Sequence, residues 1–113
     1  MEPIRYQMKL RLYRRDKFFG PGVAELLTRL ERTGSLSAAS REMGMSYSKA
    51  WKITKKSEED VGITMMKKSS GGAGGGHTEL TPEGKDFLAR YQAFCREAGQ
   101  AVDEIFKKYF TGF

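Results

Sequence analysis

Residues 34–56, GSLSAASREMGMSYSKAWKITKK, have the pattern of two short helices joined by a tight turn. Ser35 or Ser37 can cap the first helix, because a hydroxyl can accept a hydrogen bond from the free N–H groups that open a helix. Gly44 stands where a sharp bend needs a residue that tolerates positive φ. Ser46 can cap the second helix in the same way. The stretch therefore predicts a helix-turn-helix.

The second of these helices carries a polar face that suits DNA. Ala50 and Ile53 are three residues apart and point to a core. Ser48, Lys52 and Lys55 fall on the opposite side of the helical wheel. In a DNA-binding helix-turn-helix, the second helix lies in the major groove and its first turn reaches base edges. The alternative is an ordinary helical hairpin whose lysine face is solvated. The DNA-binding residues expected in this stretch are Ser35, Ser37, Ser46, Tyr47, Ser48, Lys49, Trp51, Lys52 and Lys55.

A glycine-rich loop between two short strands follows. The strands are predicted at residues 64–68 and 77–81, and the loop between them contains two serines and five glycines. This outline is that of a β-hairpin wing, whose loop can approach a sugar-phosphate backbone closely. Trp51 could brace the second helix against the wing, and its indole N–H could reach a phosphate. A flexible tip with no role is the alternative, while a nucleotide-binding loop would need a Gly-Lys-Ser/Thr ending that opens a helix. No chemistry is assigned to His77. Further DNA contacts are expected from Lys67, Lys68, Ser69 and Ser70.

Two blocks of the sequence resemble a known family. The strings GSLSAASREMGMSYSKAW and SSGGAGGGHTELTPEGKDFLARY are similar, in order and separation, to the N-terminal DNA-binding domain of ModE-type molybdate-responsive transcription regulators. The resemblance covers residues 20–91 and implies a dimeric winged helix that binds a palindromic operator. Family members that sense molybdate carry further oxyanion-binding domains after this one, and the chain ends at Phe113. We therefore expect no molybdate binding by this chain.

The charge balance favours a polyanionic partner. Twenty Lys and Arg against fourteen Asp and Glu give a formal net charge of +6 in 113 residues, which is enough chain for one domain. No apolar run approaches the roughly 20 residues that span a bilayer, and no signal-peptide core is visible, so we expect a cytoplasmic protein. Cys95 is the single cysteine and is expected to be buried. Since no metal-ligand set, nucleophile–base pair or carboxylate dyad is visible, we expect neither an enzyme nor a cofactor or metal.

The N-terminus predicts a strand ahead of the helices. Apolar and polar, mainly basic residues alternate over residues 4–12, which is the period of a half-buried strand. Its basic face is expected to be a solvated edge protected by charge rather than a direct DNA contact. After the turn at residues 20–22, apolar residues at helical spacing predict a first helix that runs to about Thr33 and stops at Gly34.

The last helix is long, and its apolar stripe is longer than a small domain can cover. Thr81 as N-cap and Pro82 at the first helical position begin it, and Glu83 lies near the positive end of its dipole. This helix could fold back on its own domain. The favoured interpretation is a two-fold dimer in which it pairs with its mate and sets two recognition helices about 34 Å apart. The dimer residues expected are Leu88, Tyr91, Cys95, Ala98, Val102, Ile105 and Tyr109.

Together these features predict a mainly α fold with a small β wing. The expected architecture is a winged helix-turn-helix with an N-terminal strand and a long C-terminal dimerisation helix, with the DNA-binding core at residues 1–81 and the dimerisation helix at 82–113. The expected function is sequence-specific binding of double-stranded DNA by a homodimeric transcription regulator, with no membrane partner. The alternative is a winged-helix protein–protein interaction module without operator specificity. Control could be absent, could act through abundance, or could come from a separate signal-sensing protein.

Overall fold

Four α-helices and two antiparallel hairpins make up the computed structural model, which describes residues 1–69 and 77–113. In chain order the elements are β1 (Leu12–Tyr13), β2 (Lys17–Phe19), α1 (Pro21–Thr33), α2 (Leu36–Glu42), α3 (Tyr47–Val61), β3 (Met66–Ser69), β4 (His77–Leu80) and α4 (Pro82–Phe110). β1 pairs with β2, and β3 pairs with β4. The architecture confirms the predicted mainly α fold with a small β wing.

The helices begin and end where local chemistry favours it. α1 starts at Pro21, whose fixed φ suits a first helical turn, and ends before Gly34, which adopts a φ of 74°. Ser35 and Ser46 cap α2 and α3, and each accepts a hydrogen bond from the backbone N–H three residues further on. Gly44 adopts a φ of 68° in the turn between these two helices. The predicted helix-turn-helix is therefore confirmed down to its caps.

The hydrophobic core closes around α1. Leu26, Leu27 and Leu30 are fully buried on its inner face, and burying such a side chain stabilises the fold by about 1.5–3 kcal/mol. Leu88 and Tyr91 of α4 are buried in the same core. The remaining core side chains come from the other elements and their connections: Phe18, Phe19, Ala24, Leu36, Ala39, Ala50, Met65 and Leu80. The core thus crosses the boundary expected between residues 81 and 82, and the first part of α4 belongs to the domain.

The first turn of α4 packs against the backbone that leads into β3. The Thr81 hydroxyl accepts a hydrogen bond from the Gly84 N–H at 2.9 Å, as expected of an N-cap. A Cβ on Gly84 would lie 2.5 Å from the carbonyl oxygen of Met65, which is closer than side chains approach. Glycine is therefore needed at this position for α4 to begin where it does.

The N-terminal strand predicted over residues 4–12 is wrong for most of its length. Strand pairing begins only at Leu12, where β1 meets β2 in a short hairpin that the sequence did not predict. The apolar side chains of the preceding segment are largely exposed, and that of Ile4 is 50% exposed.

This segment runs along α4 instead. The ring centroid of Tyr6 lies 5.0 Å from that of Phe106, and the hydroxyl of Tyr91 donates to the carbonyl oxygen of Leu10 at 2.7 Å. An α-helix satisfies its own backbone groups internally, so it offers a surface for side chains but no ladder for a strand. Apolar and polar side chains therefore alternate in this segment although it does not form the predicted strand.

β3 and β4 form the predicted wing, in a register that pairs Met66 with Leu80 and Ser69 with His77. The glycine-rich loop between them lies outside the described residues. The Thr78 N–H donates to the carbonyl oxygen of Gly34 at 2.8 Å, so β4 is fixed to the junction of α1 and α2. The His77 ring covers the same junction, because a Cβ on Gly34 would lie 2.4 Å from its Cε1 atom.

Candidate nucleic-acid interface

A cleft of about 460 Å³ lies between α3 and the wing. It brings together the start of α2, one flank of α3 and both strands of the hairpin. Its lining residues are Ser35, Leu36, Ser37, Tyr47, Trp51, Lys55, Met66, Lys67, Lys68 and Thr78. We call this surface the wing cleft. Seven of the residues expected to bind DNA therefore meet on one surface, although they come from three separate parts of the chain.

α3 has one buried face and one polar face. Ala50, Thr54 and Ser57 are fully buried, and both hydroxyls are satisfied by backbone carbonyl groups. Ser48 and Lys52 lie on the opposite side and are exposed to solvent. The predicted core role of Ala50 is confirmed, and an outward ridge of α3 stands beside the wing cleft with hydrogen-bonding and cationic groups.

Trp51 and Lys55 form the wall of the wing cleft on α3. The Trp51 side chain is 44% exposed, and the Lys55 ammonium lies 5.4 Å from its ring centroid, within the range of a cation–π contact. The same ammonium lies 3.1 Å from a carboxylate oxygen of Glu58. Lys55 therefore has less uncompensated charge to offer a phosphate than the exposed Lys52.

Glu58 joins α3 to the wing, and sequence reasoning did not identify it. Its carboxylate is buried and accepts from the N–H groups of Met65 at 2.8 Å and Met66 at 3.2 Å. Met65 precedes β3 and Met66 is its first residue, so one side chain ties α3 to the start of the wing. The Glu58–Glu59–Asp60 sequence reads as a solvated acidic run, and nothing in it distinguishes the buried member.

The wing supplies cations to the outer edge of the cleft. Lys67 lies opposite Glu79, with 3.6 Å between the ammonium and the carboxylate, whereas Lys68 is exposed and lies opposite Thr78. Ser69 is exposed at the end of β3, and Ser70 lies outside the described residues. Thr78 lines the cleft and was not predicted, although its place across from Lys68 follows once the hairpin register is known.

Not every residue expected to bind DNA lies in the wing cleft. The Ser46 side chain is committed to the N-cap of α3, where it accepts from the Lys49 N–H at 3.1 Å. The Lys49 side chain lies on the other flank of α3, in a second cleft. Ser35 and Ser37 both line the wing cleft, but Ser35 uses its hydroxyl oxygen as a cap, whereas Ser37 is exposed. The expected contacts thus divide between two flanks of α3 and its outward ridge.

The predicted dimer seam of α4 divides into a buried and an exposed part. Leu88 and Tyr91 are each only 5% exposed and lie in the core of their own chain, so they are unavailable to a partner. Cys95 is half-buried rather than buried as expected, and Ala98 and Val102 are also half-buried. The exposed part of the seam ends in Ile105 and Tyr109, which are 55% and 62% exposed.

Residues 1–69 and 77–113 contain neither a metal-binding cluster nor a helix suited to a membrane. Within them, His, Cys, Asp and Glu side chains do not gather in groups of three or more that could hold a metal ion. None of the helices in these ranges combines the length and the apolar character needed to cross a membrane.

The family model for bacterial regulatory helix-turn-helix proteins of the lysR family matches residues 24–85, from α1 to the first turn of α4. The molybdenum-pterin-binding protein MopB of Rhodobacter capsulatus is 41% identical over 76 residues, which are 67% of this chain and 27% of that protein. The molybdenum transport protein ModE of Herbaspirillum seropedicae is 34% identical over 71 residues, 63% of this chain and 26% of that protein. For the DNA-binding transcriptional dual regulator ModE of Escherichia coli K12, the identity is 26% over 88 residues, 78% of this chain and 34% of that protein. These relatives confirm the resemblance, and the chain spans about a quarter to a third of their length.

Two solved structures share the fold. The CbnR_DBD–DNA complex aligns with a TM-score of 0.57 and 22% identity, covering 74% of this chain and 90% of that chain. The BenM_DBD/benA site 1 DNA complex aligns with a TM-score of 0.58 and 17% identity, covering 81% of this chain and 97% of that chain. At these identities the similarity establishes the winged-helix fold alone.

Proposed function

The chain belongs to the bacterial regulatory helix-turn-helix proteins of the lysR family, and from this premise we propose that it regulates transcription by binding double-stranded DNA in a sequence-specific manner. The observation that carries the proposal is the wing cleft. Polar and cationic side chains of α2, α3 and the wing line one concave surface beside the exposed ridge of α3. Cationic and hydrogen-bonding groups gathered on one concave surface suit a polyanionic partner such as DNA.

Each part of this surface has a distinct role in the proposed complex. Ser48 and Lys52 on the ridge of α3 read base edges in the major groove, where hydrogen-bonding patterns differ between base pairs. Lys67 and Lys68 contact phosphates, which fix the register of the protein without reading sequence. Trp51 supports the wall between them and carries an indole N–H that can donate to a phosphate.

We further propose that the protein acts as a homodimer through the projecting part of α4. The 29 residues of α4 span about 43 Å, and the longest dimension of the chain is 60 Å. Phe94, Ile105, Tyr109 and Phe110 are each between 48% and 62% exposed along this helix. Contiguous exposed apolar surface marks interaction sites, and a two-fold pairing of α4 would place two copies of α3 one helical turn of DNA apart.

Selection of bound sequences from a random DNA pool tests the proposed function. We expect enrichment of a palindromic sequence that binds at least about a thousandfold more tightly than a scrambled duplex at physiological salt. Lys52→Ala should cost about 1–3 kcal/mol and relax the preference at one position of the half-site, because a base contact is lost. Lys68→Ala is the matched control, since loss of a phosphate contact should weaken both duplexes equally.

A negative result of the selection would count against the proposed function. If no sequence is enriched and binding to DNA is weak at every salt concentration, the proposed function is wrong. The same fold would then be better described as a protein–protein interaction module that uses its aromatic-rich α4 to bind a partner.

A further inference from the structure

A second cleft, of about 330 Å³, lies on the flank of α3 that faces away from the wing. Its floor is apolar and includes Phe18, Val23 and Ile53. Its rim is cationic and consists of Lys9, Arg11, Lys17, Lys49 and Lys56. We call this surface the hairpin cleft, because β2 and the segment that leads into β1 form its outer wall.

Most of the positive charge on this rim is uncompensated. Lys56 is paired with Asp60 at 3.1 Å and approaches Asp16 at 3.9 Å. The other four cations of the rim form no ion pair with any residue in the ranges 1–69 and 77–113, and all four are exposed. Four unpaired cations around one small cleft favour an anionic occupant.

The outer wall of the hairpin cleft is held in place by hydrogen bonds from two hydroxyl groups. The Ser57 hydroxyl on α3 donates to the carbonyl oxygen of Phe18 at 2.6 Å, next to Lys17. The Tyr91 hydroxyl donates to the carbonyl oxygen of Leu10, between Lys9 and Arg11. The backbone beside Lys17 is therefore attached to α3, and the backbone between Lys9 and Arg11 is attached to α4.

We propose that the hairpin cleft is a second phosphate-binding wall, which contacts the DNA strand opposite to the one contacted by the wing. The inference rests on the proposed function, because it assumes that α3 lies in the major groove. That groove is about 12 Å wide and a helix with its side chains is about 10–12 Å across, so each flank of α3 must face a sugar-phosphate backbone. The wing cleft occupies one flank and the hairpin cleft occupies the other.

This assignment changes the role expected for the basic side chains of the N-terminal segment, which the sequence favoured as a solvated edge. An acidic protein segment with an apolar anchor would also match a cationic rim above an apolar floor. The position of Lys49 favours DNA, because it lies in the first turn of α3 beside Tyr47 and Ser48. DNA that reaches that turn cannot avoid the rim of the hairpin cleft. In this complex the aliphatic parts of the rim side chains pack against the apolar floor.

The test uses the full chain, the selected duplex and a variant with Lys9→Gln, Arg11→Gln and Lys17→Gln. The control variant carries Lys85→Gln, Arg90→Gln and Arg96→Gln on the exposed surface of the first half of α4, so both variants lose three positive charges from a net charge of +6. Binding is measured over a salt series, and again with neutral methylphosphonates placed at single positions on either strand. Thermal unfolding of both variants checks that these exposed changes leave the fold intact.

The slope of log K against log salt is negative. We expect its magnitude to decrease by about 2 to 3 in the hairpin variant and to stay unchanged in the control. Binding should weaken at least about tenfold for both the selected and the scrambled duplex, since phosphates carry no sequence information. The hairpin variant should also become insensitive to methylphosphonates on one strand while it keeps the sensitivity of the wild type on the other.

Two results would overturn the inference, and they differ in what they imply for the proposed function. If the wild type binds the duplex and the hairpin variant keeps the wild-type slope and methylphosphonate pattern, only the second wall is wrong, and the cleft is left to an acidic protein partner. If the wild type itself does not bind duplex DNA, the second wall and the proposed function are both wrong.

Discussion

The side chain of Glu58 joins α3 to the wing. It is only 9% exposed, yet its carboxylate accepts two backbone hydrogen bonds and contacts the Lys55 ammonium. A buried acceptor of this kind stabilises a fold chiefly because its removal leaves donors without partners. Glu58 thus couples the stability of the fold to the width of the wing cleft.

We expect Glu58→Ala to lower the free energy of unfolding by about 2–3 kcal/mol, because the N–H groups of Met65 and Met66 lose their acceptor. Denaturant unfolding measures this change. Glu59→Ala is the matched control, since Glu59 is exposed on the same helix and should change stability by less than about 0.5 kcal/mol. Equal effects of the two substitutions would contradict the role assigned to Glu58.

A second carboxylate joins α2 to α1. Hydrogen bonds from Arg29, at 2.9 Å, and from Arg32 hold the pKa of Glu42 below its usual range, against the opposing effect of desolvation. A lowered pKa in the folded state means that the stabilisation is present above the ordinary carboxylate pKa and is lost as pH falls through the folded value. Glu42→Gln should therefore lower the free energy of unfolding near neutral pH and flatten its further loss as the pH falls through the acid range. Parallel acid denaturation curves for the two proteins would show that this carboxylate contributes nothing.

The element that departs most from a compact domain is α4. Its first turns, with Leu88 and Tyr91, complete the core, whereas its later turns carry apolar side chains that α1 to α3 do not cover. The N-terminal segment covers a part of this surface through the contact of Tyr6 with Phe106, and the Tyr6 hydroxyl donates to the Asp103 carboxylate. One helix therefore serves the domain at its start and is free to serve an interface at its end.

We expect the combined change Val102→Asp and Ile105→Asp to convert the protein to a monomer with a near-normal thermal transition. Burying these two side chains in a dimer contributes about 1.5–3 kcal/mol each, and neither belongs to the core of the chain. The variant should retain weak DNA binding but no longer distinguish a palindrome from a half-site, because the two half-site energies are no longer coupled. Sedimentation and binding titrations measure both properties.

Leu88→Asp provides the contrast, because a charge at that buried position should unfold the domain itself. A double variant that still sediments as a dimer, or a wild type that is monomeric at micromolar concentration, would contradict the pairing of α4.

In the molecule as a whole, the parts that the sequence predicted well are those whose chemistry is local. Ser35, Ser46 and Thr81 are caps of their own helices, and Gly34 and Gly44 adopt the positive φ that their positions require. The wing was predictable because both of its strands flank one glycine-rich loop. Seven of the expected DNA contacts, from α2, α3 and the wing, then meet in one cleft.

The parts that the sequence did not predict depend on contacts between distant residues. The alternation in residues 4–12 indicates two different faces, but only the position of α4 shows that one face meets a helix and not a strand. Nothing local separates Glu58 from its acidic neighbours. The hairpin cleft likewise joins Lys9 and Lys17 to Lys49, which are far apart in sequence.

The central claim is that the wing cleft and the ridge of α3 bind DNA through its phosphates and bases, and the salt dependence of binding tests it most directly. For the wild type and the selected duplex, we predict a slope of log K against log salt of roughly −5 to −6, as expected for five to seven neutralised phosphates. The combined change Lys67→Ala and Lys68→Ala should bring that slope closer to zero by about 2, whereas the Lys85, Arg90 and Arg96 variant should retain it. A flat salt response of the wild type, or an equal slope for all three proteins, would contradict the claim.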